Sequence, residues 1–112
     1  VRIARLLAPL VLVFALLVPA GVAGAKPAHT KQDATVTHPD DGTTIALTLF
    51  KPGTASPSRK VPMILHSHGW GGSRTTDIAA FQEWLDAGFG VLSFDQRGHG
   101  ESSGEANVQD PT

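Results

Sequence analysis

The sequence predicts an α/β fold in which an antiparallel hairpin leads into one parallel βαβ unit. Three observations carry the prediction. Residues 61–65 and 91–94 are short apolar runs without alternation, the pattern of strands covered on both faces of a parallel sheet. Between them Ile78, Phe81 and Leu85 recur at i, i+3 and i+7, one face of a helix, and Gly88 supplies a C-terminal stop. Upstream, Ile45, Leu47 and Leu49 alternate along residues 43–51 behind the turn Pro39-Asp40-Asp41-Gly42, as in a hairpin strand with one buried face.

Length and composition bound the rest. A chain of 112 residues has room for one domain with a small core. Its net charge of −1, without a basic block, gives no reason to expect a nucleic-acid partner or an anionic membrane surface. There is no cysteine, which excludes disulfides, a thiolate nucleophile and thiolate metal sites.

In chain order, residues 1–25 read as an export signal. Arg2 and Arg5 form the charged start, residues 6–18 the apolar core, and Ala23-Gly24-Ala25 a small-residue cleavage site. Cleavage after Ala25 predicts an exported protein. The alternative is an uncleaved anchor on the outer face of the membrane, because residues 6–25 carry no charge and about 20 such residues can cross a bilayer. A membrane is a partner only in that case. Residues 26–32 are polar and read as a flexible lead-in to a domain over 33–112. Residues 33–38 and 43–51 form the hairpin. Residues 52–60, with two prolines, a glycine and two serines, form a loop into the central strand.

The chemistry begins where that strand ends, at His66-Ser67-His68-Gly69-Trp70-Gly71-Gly72. Glycines at 69, 71 and 72 let the backbone turn sharply and aim amide N–H groups at one point, which suits an oxyanion; a tight turn before a helix uses the same residues. The second strand runs into Asp95-Gln96-Arg97-Gly98-His99-Gly100-Glu101-Ser102.

With the hairpin DGTTIALTLFKP, these two motifs separated by one helix resemble the α/β-hydrolase superfamily over about residues 34–105. They look most like exported bacterial X-Pro dipeptidyl-peptidase-like or cocaine-esterase-like serine hydrolases. The resemblance implies that the chain is an amino-terminal fragment of such an enzyme, carrying four of the fold's strands and one of its helices. It implies cleavage of a small-molecule ester, an amide or a peptide by serine attack, without a cofactor. Carried over by position, the first oxyanion donor is the backbone amide of Trp70, with His68, Gly69, Gly71 and Gly72 shaping its loop. Asp95, Arg97, Gly98 and Gly100 fall in a structural loop, braced by an ion pair and hydrogen bonds.

The family's nucleophile sits in a Gly-x-Ser-x-Gly elbow followed by an acid and a histidine. Gly100-Glu101-Ser102-Ser103-Gly104 matches the letters but not the context: Asp95 to His99 separate it from the strand, and no histidine follows Ser102. Ser102 is therefore expected to bond backbone in a turn. No nucleophile, acid or base is assigned in this chain, which is expected to be inactive alone and to expose a sheet edge and an uncovered face.

Two other readings stay open. His66 and His68, at i and i+2 on a strand end, could hold a metal in a metal-dependent hydrolase, although further ligands are not evident and His66 reads equally as packing on the sheet. Alternatively the βαβ core serves a small exported binding module without catalysis. Trp84 and Phe89 read as core or helix-flank residues.

Overall fold

The computed structural model describes residues 25–107. The expected export signal lies outside the described residues apart from Ala25, as does the end of the tail, residues 108–112. Among the described residues no helix is long and apolar enough to cross a membrane.

Four strands make one mixed sheet: β1 (Thr30–Thr37), β2 (Thr44–Lys51), β3 (Met63–Ser67) and β4 (Gly90–Phe94), in the order β1-β2-β4-β3. β1 and β2 pair antiparallel from Thr30↔Lys51 to Thr37↔Thr44, closed by His38 N–H to Thr43 O (2.7 Å) and Gly42 N–H to His38 O (3.0 Å). β2 runs antiparallel to β4, and β3 lies parallel to β4 from Met63↔Gly90 to Ser67↔Phe94. The fold is thus the hairpin joined to a parallel βαβ unit.

The crossover differs in detail from a single helix. Asp77 caps its start by accepting the Ala79 N–H (3.0 Å), a 3-10 turn follows over Ile78–Phe81, and α1 spans Gln82–Asp86. Gly88, at φ 90°, ends it: its N–H reaches Leu85 O (3.0 Å) while Phe89 N–H reaches Trp84 O (2.9 Å), the paired bonds of a Schellman stop. The apolar side faces the sheet. Phe81 and Leu85 pack on Phe50 and Val91, all at most 4% exposed, with the Phe50 and Phe81 rings edge to face at 4.9 Å. Trp84 stacks on Phe81 at the helix flank.

Three expectations need correction. The buried face of β2 is mainly the one opposite the Ile45, Leu47, Leu49 stripe, of which Leu47 alone is buried: Ala46, Thr48 and Phe50 lie toward the covered side, Thr48 and Phe50 fully buried. The register explains why, since Phe50, Val91 and Ile64 align under the crossover. Thr48 tolerates burial because its hydroxyl donates to Asp33 (2.6 Å) and accepts from Arg74 Nε (3.1 Å). The other face aligns Leu49, Leu92 and Leu65, and no described element covers it; Leu65 is 72% exposed.

Accordingly β3, shifted to Met63–Ser67, is buried on neither face as the run at 61–65 implied: Ile64 and His66 are half-buried and the rest exposed. Finally β1 begins at Thr30, so the sheet takes in Thr30 to Gln32, which the sequence assigns to the lead-in. His29 anchors the residues before it, accepting the Gly53 N–H (2.9 Å) and bonding Asp86 (2.8 Å).

Candidate functional site

The loops after β3 and β4 leave the sheet side by side because their strands are parallel neighbours. Carboxyl ends of adjacent parallel strands are where such sheets gather ligands. After β3, Gly69 to Gly72 form a turn closed by Gly72 N–H to Gly69 O at 3.0 Å, with Gly71 at φ 72°. A positive φ at the third position marks a type II turn, which a side chain would strain. Trp70 occupies the second position. The residue is 70% exposed, and among the described residues none accepts a hydrogen bond from its amide.

The turn is tied to β4's loop by side chains. His68 bonds Gly69 O through Nδ1 (2.7 Å) and accepts the Gln96 N–H at Nε2 (3.0 Å). Gln96 returns the tie, its Nε2 donating to Ser67 Oγ (2.7 Å) and to His68 O (2.8 Å). His99 packs against both rings, 5.1 Å from His68 and 5.3 Å from Trp70. Trp70, Gln96, Arg97, His99, Glu105, Ala106 and Asn107 line an open cleft of about 310 Å³.

Beneath the loops lies a buried ionic brace. Asp95, fully buried, accepts Arg74 N–H (2.5 Å), Arg74 Nη1 (2.5 Å) and Glu101 N–H (3.0 Å). Arg74, 9% exposed, also pairs with Glu101 and donates to Thr48. Gly100, at φ 52°, passes so close to the Asp95 carboxylate that a Cβ there would overlap it. Burial opposes the charge on Asp95, but the amides of Arg74 and Glu101 and the guanidinium outweigh it and hold the carboxyl below its usual 3.8. A carboxyl depressed on folding contributes stability above the unfolded value and loses it as pH falls through the folded one. Melting temperature is therefore expected to fall as pH drops below 3.8, and to fall less steeply in Asp95→Asn; parallel acid melts of the two proteins check this.

Arg97 pairs not with Asp95 but with Asp41 in the hairpin turn (2.6 Å). Asp41 is held well below the carboxylate range, first by the Thr43 N–H and then by Arg97. Gly98 N–H donates to Ser103 O (3.0 Å). Ser102 is spent on backbone: its hydroxyl donates to Asp95 O (2.7 Å) and accepts Ala46 N–H (2.9 Å). Ser103 Oγ accepts Thr44 N–H (2.8 Å).

The two histidines of the metal reading part company. His66 packs edge-on to Phe81 at 5.0 Å and contacts Ser93 Oγ (3.3 Å), on the covered face, whereas His68 has both nitrogens engaged in the loop. Among the described residues no three His, Asp or Glu side chains are grouped to hold a metal ion. Residue-pattern reasoning missed Gln96, Arg74 and His99. Gln96 and His99 both lie inside the second motif, whereas Arg74 lies outside either one; Arg74 and Gln96 act through partners 21 and 28 residues away.

A family model described as X-Pro dipeptidyl-peptidase (S15 family) matches residues 41–112, which take in both loops and the brace. Among solved structures, the alpha/beta hydrolase GrgF from Penicillium sp. sh18 is similar at 27% identity and a TM-score of 0.53, covering 68% of this chain and 25% of that one. This chain thus spans about a quarter of the length of that structure. No curated protein matches it.

Proposed function

The chain belongs to the X-Pro dipeptidyl-peptidase (S15) family, and from that footing we propose that it forms the amino-terminal part of an exported serine hydrolase acting on ester or amide bonds, peptides included. Its contribution is half of the oxyanion hole. The observation that carries this reading is the Trp70 amide, left without an acceptor among the described residues on a turn that His68 and Gln96 hold rigid.

When a serine oxygen adds to a carbonyl, the carbonyl oxygen takes up negative charge. An amide already aimed at that position stabilises the charge without reorganising, an effect worth about 3–4 kcal/mol per donor. Trp70 N–H fills that role, with a second donor, the nucleophile, the acid and the base supplied by other parts of the enzyme. Export rests on the signal at residues 1–25.

Ser102 is not the nucleophile in this scheme. Its hydroxyl hydrogen is committed to Asp95 O, and among the described residues no histidine is bonded to it to take that proton. Labelling the full-length gene product with a fluorophosphonate probe tests both statements. Wild type and Ser102→Ala are expected to label equally, through a different serine. Absence of labelling would remove the serine-hydrolase reading; labelling lost in Ser102→Ala would make Ser102 the nucleophile.

A further inference from the structure

His68 is bonded at both ring nitrogens, and the partners dictate its protonation. Gln96 offers an N–H to Nε2, so Nε2 is the bare acceptor; Gly69 offers a carbonyl to Nδ1, so Nδ1 carries the hydrogen. Resting on the Trp70 amide as oxyanion donor, we infer that His68 is a positioning residue of that donor, working only in its neutral Nδ1–H form, with Gln96 as the group that selects this form.

The geometry supports the role from three sides. Gly69 O, which Nδ1–H holds, is the same oxygen that closes the turn around Trp70 by accepting Gly72 N–H. The turn lies directly on the ring: a Cβ on Gly72 would come within 3.3 Å of His68 Nδ1 and Cβ. Gln96, besides donating to Nε2, grips the His68 carbonyl and Ser67 Oγ, so the ring cannot swing away without breaking the tie to β4's loop. Protonation would place a second N–H at Nε2, opposite the Gln96 N–H. Two donors would then face each other, and the bond joining the loops would be lost.

The charged and titratable groups around the ring do not offset this. His99, packed 5.1 Å away, is bonded to Arg97 O. Asp95 and Arg97, which flank Gln96, are committed to Arg74 and Asp41. The Trp70 donor is therefore held in place by the neutral Nδ1–H form of His68, with Gln96 N–H on the bare Nε2.

Nitrogen NMR of the full chain, with labelled histidine side chains, tests the inference without requiring turnover. His68 is expected to show a protonated Nδ1 and a bare Nε2 at neutral pH. In His68→Asn, whose amide nitrogen can take the place of Nδ1–H but which leaves Gln96 N–H without its acceptor, the Trp70 amide should shift from its wild-type position, and it should shift further in His68→Ala, which loses both bonds. An Nε2–H tautomer, or a Trp70 amide unmoved in both variants, would overturn the positioning role. Neither result would touch the hydrolase reading, which stands or falls on fluorophosphonate labelling.

Discussion

Arg74→Met is expected to destabilise the fold by about 3–5 kcal/mol, because it strips the counter-charge from a carboxylate that has no water to turn to. Asp95 has a side chain 1% exposed, and without the guanidinium it keeps only the Arg74 and Glu101 amides. Methionine retains most of the apolar stem, so the loss reports charge rather than volume. Asp95→Ala should cost less, since Glu101, 73% exposed, still neutralises Arg74. The pair replaced together, Arg74→Met with Asp95→Leu, should cost less than the two single changes summed, as no buried charge then remains. Urea midpoints of the four proteins measure this. Strict additivity would mean that the two side chains do not act as a pair. Set against a typical stability of about 5–15 kcal/mol, the single Arg74 change removes a large share of what holds the loops.

Trp70→Pro is expected to lower kcat of the full-length enzyme by about 10²–10³-fold with KM little changed. Proline removes the backbone N–H and is at home where Trp70 stands, since the second position of a type II turn favours it. The turn, marked by Gly71 at φ 72°, should therefore survive. The indole is lost too, so Trp70→Ala is the control: it discards the ring, keeps the amide and should retain most of kcat. Equal losses in the two variants would move the effect from amide to side chain, and an unchanged kcat in both would remove Trp70 from the oxyanion hole.

Much of this could be read from residue order, for reasons that also mark the limit. The hairpin and βαβ unit are written in short-range patterns: a turn tetrapeptide, a helical period through Ile78, Phe81 and Leu85, a glycine stop at 88. The Trp70 loop was legible because glycine spacing is local. What misled was Thr48. It reads as polar and hence outward, yet Asp33 and Arg74 satisfy its hydroxyl inside, and the buried face of β2 inverts with it. Pairings such as Arg74 with Asp95 and Gln96 with His68 leave no period to detect. They are set by which strand ends the parallel register brings together, and that register is a property of the folded sheet.

The serines after β4 bear on how the molecule is assembled in time. β4 pairs with β2 only as far as Phe94 opposite Leu47, so the first residues of β2 run past the end of their neighbour. Ser102 and Ser103 take over there, their hydroxyls receiving the amides of Ala46 and Thr44 as strand carbonyls would, across separations of 56 and 59 residues. The Arg97 tie to Asp41 closes a similar distance. Ordering a chain segment that long is slow compared with zipping a hairpin. The top of the hairpin thus forms early and is secured late, after the crossover has docked and β4 has delivered its loop. Until then the Thr44 and Ala46 amides lack their partners, and the end of the hairpin is free to fray.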